Sequence, residues 1–297
     1  MGPFTNARII LSVLIFASLG ALINSSLLKI AKRYKTINQV LKHKYLRWII
    51  ATSLAITLIL VVSNFYVYYG FDYQPDIYRR GLLNSNQVTL TFDDGPSREY
   101  TAQILDILKE KNVKATFFMV GSHVEKYPEI AARVVDEGHE VGNHTYHHVN
   151  VPTLTQSKLT AEIIGTNKII RQVTGETPAY LRPPRGMYDA RYRRLAHLLG
   201  QEIVLWTISG QDWKKSTSAA NIVARIVNKS KGGEIVLLHD SGALVASEGG
   251  DRNALIHALP EIIDGLREKG LEIVPLKDFI DEANGEDITH LEFNLAE

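Results

Sequence analysis

Cysteine is absent from all 297 residues, so the fold cannot rest on a disulfide framework, and an extracytoplasmic location stays open. Acidic residues are missing from the whole first part of the chain. The earliest is Asp72, and eight basic residues precede it: Arg8, Lys29, Lys32, Arg33, Lys35, Lys42, Lys44 and Arg47. That part carries +8 and the remainder −7, to give the overall +1. The chain therefore has two electrically different parts. The acidic part holds no basic tract, which argues against nucleic acid as a partner. Internal repeats and low-complexity tracts are missing as well.

Charge of either sign is missing from 48 to 69, a run of roughly the 20 residues needed to cross a bilayer. Trp48 at one end and Tyr66, Tyr68 and Tyr69 at the other suit interfacial anchors. A second apolar stretch, about 9–28, is interrupted by Asn24, Ser25 and Ser26 and has the alternative reading of a cleaved signal peptide. Seven of the eight basic residues lie between the two stretches. The positive-inside rule places that segment in the cytoplasm, and everything after Tyr69 outside. The expected organisation is a two-pass membrane anchor over 1–71, a linker over 72–86, a globular domain over 87–283 and an acidic tail over 284–297.

The globular part alternates short β-rich runs with longer amphipathic ones. Strands are expected at 88–92, 115–120, 140–143, 179–182, 202–208, 234–238 and 272–275. Helices are expected at 100–112, 128–138, 158–173, 190–199, 219–231 and 254–269. About seven β/α units imply an α/β fold with a parallel sheet. Unusual residues cluster just after the strands. Asp93 and Asp94 follow the first, His144 and His148 the third, Arg182 the fourth, Asp212 and Trp213 the fifth, and His239 with Asp240 the sixth. Parallel strands collect chemistry on one rim in this way, because all their C-termini open on the same face.

Adjacent carboxylates such as Asp93 and Asp94 raise one another's pKa unless something positive intervenes. Asp before Gly and Pro is also common turn punctuation. His144 and His148, four apart, can reach one ion, and imidazole suits zinc-like divalent ions. Spacing does not decide between His147 and His148. Thr145 stands where a His-Glu-x-x-His metalloprotease carries its Glu, so that class is disfavoured. The base must come from elsewhere, and the Asp93-Asp94 pair can supply both a third ligand and a base.

Together Thr91-Phe92-Asp93-Asp94-Gly95, His144-Thr145-Tyr146-His147-His148, Arg182-Pro183-Pro184-Arg185-Gly186, Asp212-Trp213 and Val236-Leu237-Leu238-His239 resemble the five ordered motifs of the polysaccharide deacetylase family. This family has the NodB homology domain and forms carbohydrate esterase family 4. The resemblance spans about 86–280. It implies a distorted (β/α) barrel that removes acetyl groups from N-acetylated sugars. It further implies one divalent metal ion held by Asp94, His144 and His148: Zn2+, with Co2+ and Ni2+ as alternatives. Asp93 is implied as general base, oriented by Arg182, and His239 as general acid, steered by Asp212. Pro184, Arg185, Trp213 and Leu237 are expected to contact substrate, with packing the plainer reading for Trp213 and Leu237. Asp240 reads as a cap or loop acid.

Two positions depart from the common pattern. Arg185 replaces a Tyr, and Ser209 replaces the first Asp of an Asp-x-x-Asp-Trp motif. Both bear on substrate preference. The expected function is N-deacetylation of a GlcNAc- or MurNAc-containing polymer, peptidoglycan being the nearest to a domain facing outward. Alternatives are chitooligosaccharide or exopolysaccharide deacetylation, O-acetyl esterase chemistry and wall binding without turnover.

Overall fold

The computed structural model describes residues 44–69, 77–83, 85–242 and 250–283, in two compact units that divide between Tyr73 and Gln74. The first unit contributes one helix, α1 (Lys44–Tyr69), whose side chains are described from 48 to 62. Ile49, Leu54, Ile56, Leu58, Ile59, Leu60 and Val62 are all exposed on it. Among the described residues no helix is long and apolar enough to cross a membrane. The apolar stretch at 9–28 and the tail at 284–297 lie outside the described residues, as do the side chains of 63–69.

The second unit is a parallel sheet wrapped by helices. Its strands are β1 (Ile77–Tyr78), β2 (Gln87–Asp93), β3 (Thr116–Met119), β4 (Glu140–Asn143), β5 (Tyr180–Leu181), β6 (Glu202–Val204), β7 (Ile208–Ser209), β8 (Glu234–His239) and β9 (Glu272–Ile273). The path runs β1-β6-β5-β4-β3-β2-β8-β7, with β9 beside the start of β2. β2 is central and buried from Val88 to Asp93, as a β-branched and apolar run without alternation requires.

The run expected as one strand at 202–208 is two. β6 lies between β1 and β5 near one end of the path, and β7 pairs with β8 at the other. Between them the Leu205 N–H turns to the Tyr78 carbonyl and the Thr207 N–H to the Ile235 carbonyl. This single run touches both ends of the path and curls the sheet into a half-barrel. A second difference lies in the stretch read as linker, where β1 pairs with β6 and Ile77 is buried. Two residues are too short for periodicity to reveal.

The helices are α2 (Tyr100–Glu110), α3 (Gly121–Lys126), α4 (Pro128–Asp136), α5 (Gln156–Thr174), α6 (Ala190–Leu198), α7 (Ala219–Val227) and α8 (Asn253–Glu268). Only α3, six residues long, had no counterpart in the periodicity. Side-chain caps start three of them: Thr155 accepts the Lys158 N–H, Asp189 those of Arg191 and Tyr192, and Ser218 that of Asn221. Leu90, Phe92 and Phe117 face outward to Ile104, Leu105 and Leu108 of α2 and to Leu259, Ile262 and Leu266 of α8. Phe118, Val204, Ile235, Leu276 and Phe279 form a separate cluster.

Candidate active site

Side chains two apart on a strand share a face, which puts Thr91 and Asp93 side by side on β2. Both meet Arg182, which follows β5. Its Nη1 donates to Thr91 Oγ1 and Asp93 Oδ1, each at 2.7 Å. Its Nε and Nη2 donate at 3.0 Å to the carbonyls of Val204 and Leu205, and its guanidinium carbon lies 3.9 Å over the Phe118 ring. A cation buried this completely is tolerated because its donors are occupied. Burial pushes the Asp93 carboxyl above its ordinary value, and Arg182 and His239 oppose that rise.

Asp94 takes a left-handed φ of 80°. The His123 ring, from α3, donates Nδ1–H to the Asp94 carbonyl at 2.7 Å. His144 likewise donates Nδ1–H to the Arg182 carbonyl at 2.8 Å, which leaves its lone pair on Nε2. That Nε2 lies 3.5 Å from Asp94 Oδ1, and His148 Nε2 lies 3.3 Å from the same oxygen. Asp94 Oδ1 is buried and has no hydrogen-bond partner. The three ligand atoms lie within 4.8 Å of one another.

Burial lowers both His144 and His148 to about 3 and raises Asp94 to about 7. Two neutral imidazoles and an orphaned carboxylate oxygen, largely buried, match the donor set that a divalent cation takes. Ligand atoms about 2.1 Å from one tetrahedral ion stand roughly 3.4 Å apart. The observed spacings of 3.3 and 3.5 Å fit that span.

The loop after β4 explains which neighbouring histidine turns inward. Asn143 Oδ1 accepts the Thr145 N–H at 2.8 Å, and its amide donates to the Ile163 carbonyl. Glu162 of α5 accepts the N–H groups of Tyr146 and His147 and meets His147 Nδ1 at 2.7 Å. His147 is thereby held on the surface and His148 swings in at φ 52°.

His239 ends β8. Asp212 Oδ2 accepts its backbone N–H at 2.9 Å, and Asp212 Oδ1 accepts its Nδ1–H at 3.0 Å. Burial alone would lower this imidazole, but the Asp212 carboxylate, with Asp94 and Asp93 behind it, outweighs that and raises it to about 9. Asp212 thus holds the residue both at its backbone N–H and at its ring Nδ1 and favours the protonated ring.

The structure thus brings Asp93, Asp94, His144, His148, Arg182, Asp212 and His239 together. The four expected substrate contacts lie within three residues of Arg182, Asp212 or His239 in the chain. Leu237 shares the β8 face of His239 and Pro184 is buried, while Trp213 is half-buried under the Lys214 ammonium at 5.4 Å and Arg185 is exposed. Ser209 Oγ accepts the Gln211 N–H at 3.2 Å. Asp240 takes a hydrogen bond from Thr101 Oγ1 at 2.7 Å and abuts Gly95, where a Cβ would stand 2.0 Å from its Oδ2.

Sequence reasoning assigned no role to Thr91, His123 or Glu162, although each holds a site residue or its loop. Thr91 lies two residues before Asp93, which is itself a signal. Nothing in the chain marks His123 or Glu162. Among the described residues six non-glycines have positive φ, and five of them (Asp94, Thr145, His148, Arg185 and Gln211) belong to these loops. Strain gathers here because the surrounding structure over-determines it.

The family described as polysaccharide deacetylase matches residues 81–204. A peptidoglycan-N-acetylglucosamine deacetylase of Bacillus cereus is 38% identical over 196 residues, 66% of this chain and 69% of the relative. Among solved structures, a peptidoglycan N-acetylglucosamine deacetylase superposes with a TM-score of 0.65 at 35% identity, covering 71% of this chain and 95% of that one. A protein described as a CE4 family pseudoenzyme, from Bacillus anthracis, gives 0.63 at 31% identity, covering 71% of each chain.

Proposed function

This chain belongs to the polysaccharide deacetylase family, and on that premise we propose that it is a metal-dependent N-deacetylase of a GlcNAc- or MurNAc-containing polymer, with peptidoglycan as the substrate. One observation carries the reading: the Asp94–His144–His148 cluster, with its orphaned oxygen, shares the sheet's rim with an Asp93–Arg182 pair and a His239–Asp212 pair, Asp93 and His239 being register partners on β2 and β8. Peptidoglycan is supported by the names of the relatives and by the location argued from the N-terminal charge pattern.

Asp94, His144 and His148 would hold the ion, Zn2+ being the first choice and Co2+ or Ni2+ the alternatives. When bound, a divalent cation with three protein ligands lowers the pKa of water towards about 7 and polarises a carbonyl. Asp93, the general base, takes the proton of the attacking water, and Arg182 keeps it ionised and aimed. His239, the general acid, delivers the Nε2 proton to the departing sugar amine. An amide nitrogen leaves poorly without one. The backbone N–H after Pro184 is assigned to the acetyl oxygen, since the neighbouring N–H groups of Gly186 and Met187 are already bound to the carbonyls of Pro183 and Pro184. Trp213 and Leu237 are assigned as apolar walls for the acetyl methyl.

The N-terminal part is proposed as a two-pass anchor that keeps the catalytic domain outside the cell membrane. Its support is the charge-free run at 48–69 and the +8 of the first part.

A fold kept without turnover is a real alternative, given a related pseudoenzyme. The presence of both proton-transfer pairs favours turnover, because a binder has no use for them. The test is acetate release by the full chain from peptidoglycan, chitooligosaccharides and O-acetylated glycans, with metal analysis of the same samples. Asp93→Asn should stop release with metal still bound, and Asp94→Ala should lose the metal. Wild-type turnover in both variants would refute the reading. Faster release from O-acetylated glycans would make the chain an esterase.

A further inference from the structure

The candidate ligands of the cation sit on two loops that start from different strands. Asp94 follows β2, while His144 and His148 follow β4, and β3 lies between those strands in the sheet. The segment that continues β3 into α3 reaches both loops. Val120 N–H donates to the Gly95 carbonyl at 2.8 Å, and the His123 ring donates Nδ1–H to the Asp94 carbonyl at 2.7 Å. Gly121 N–H donates to the Thr145 carbonyl at 3.0 Å and Ser122 N–H to that of Tyr146 at 2.9 Å. The first N–H groups of a helix have no partner within it, and α3 turns its own outward to the loops. Three of these four donors belong to the backbone. The fourth is a side chain.

That side chain acts where the backbone is strained. Asp94 holds φ 80°, a region that a residue with a side chain keeps only where its surroundings over-determine it. Peptide groups are planar, so the two planes that flank a Cα fix its φ and ψ. On one side of Asp94 the plane is held by the backbone, as Asp240 N–H donates to the Asp93 carbonyl at 3.1 Å. On the other side the Asp94 carbonyl accepts from the His123 ring. Gly95 beyond it is packed so closely on Asp240 that a Cβ would stand 2.0 Å from Oδ2. A carbonyl only accepts, so Nδ1 keeps its proton and the bond persists whatever the charge of the ring.

We infer that His123 is a positioning residue that sets the cation affinity of the site, by fixing the Asp94 peptide so that Oδ1 stays 3.5 Å from His144 Nε2 and 3.3 Å from His148 Nε2. The inference rests on the metal-dependent reading above and adds to it a residue from outside both ligand loops. Removing a hydrogen-bond partner that orients a metal ligand typically costs about 10- to 100-fold in metal affinity. Here the partner belongs to the segment whose backbone ties the Asp94 loop to the histidine loop, so α3 staples the two halves of the donor set together.

The experiment compares the full chain with His123→Ala, His123→Leu and His123→Asn. Leucine fills the space of the ring without a donor, and asparagine carries an amide N–H at the position of Nδ1. Each protein is stripped of metal, and the Kd of Zn2+ is measured by competition with a chromophoric chelator. Thermal unfolding of the metal-free proteins and acetate release are read in parallel. His123→Ala and His123→Leu should each weaken Zn2+ binding by at least about tenfold, and His123→Asn should restore most of it. Should His123→Ala fail to fold, His123→Leu decides. A residue that only packs α3 would lower the metal-free melting temperature, leave the Kd of His123→Leu at the wild-type value and gain nothing from asparagine. Wild-type affinity in His123→Leu, or a loss in His123→Asn as large as in His123→Leu, would overturn the inference. A wild type that binds Zn2+ but releases no acetate would remove the deacetylase reading and leave the Kd values to decide. One that binds none of Zn2+, Co2+ and Ni2+ would remove both.

Discussion

Arg182 joins a structural clamp to its proposed role of aiming Asp93. Its three nitrogens reach two backbone carbonyls, a hydroxyl and a carboxylate in one plane. A lysine is a point charge and cannot span that fork. Arg182→Lys should therefore lower kcat/KM on the order of 100-fold and also lower the melting temperature, since buried carbonyls lose their donors. Acetate release and thermal unfolding of the same variant check both. His239 makes a second prediction. As the proposed general acid it must be protonated to act, and Asp212 raises it to about 9. Activity should fall as pH rises through that region, and Asp212→Asn should move this alkaline limb to lower pH. A pH profile of kcat reads the shift, and an unmoved limb would detach Asp212 from the acid. The candidate ligands at 94 and 144 were legible from residue chemistry, but the turning inward of His148 rather than His147 was not. That choice is made by Glu162, which holds His147 outward, and no spacing rule reports a side chain from another helix.

Long elements could be read from periodicity, and short ones could not. α5 and α8 show buried positions that recur with helical period, as Leu159, Ile163, Thr166 and Ile170 do along α5. β1 and the break between β6 and β7 are decided by partners distant in the chain. Thr155→Ala should cost about 1 kcal/mol through loss of the α5 cap, measurable by denaturant unfolding. The joint between β3 and β4 carries a titrating group. His139 accepts the Ala115 N–H on Nδ1 and packs edge-on against Phe117 at 5.5 Å. Burial lowers it to about 4 from 6.5. The unfolded chain then binds more protons between those values, so stability is complete above pH 6.5 and declines as pH falls towards 4. The loss is on the order of 3 kcal/mol. His139→Gln should flatten that slope in unfolding experiments, and an unaltered slope would place the effect elsewhere.

For the whole molecule, one parallel sheet delivers groups from five separate loops to a common rim, a placement visible in the sequence because each group follows a strand. The cation is expected to tie those loops together. Chelation should stop acetate release and lower the melting temperature by several degrees, with Zn2+ restoring both, while Asp94→Ala should melt the same with or without chelator. Equal melting of the wild type with and without metal would show the loops to be organised by protein contacts alone.

The stretch from Val204 to Asp212 also supports both of the proposed proton-handling groups. Its carbonyls at Val204 and Leu205 clamp the guanidinium that aims Asp93, and its Asp212 clamps the ring of His239. Donor and acceptor are thus mounted on a shared pedestal. Inserting or deleting a residue there would put them out of step without altering either, so variation in chain length among relatives should collect in the other loops and spare this one.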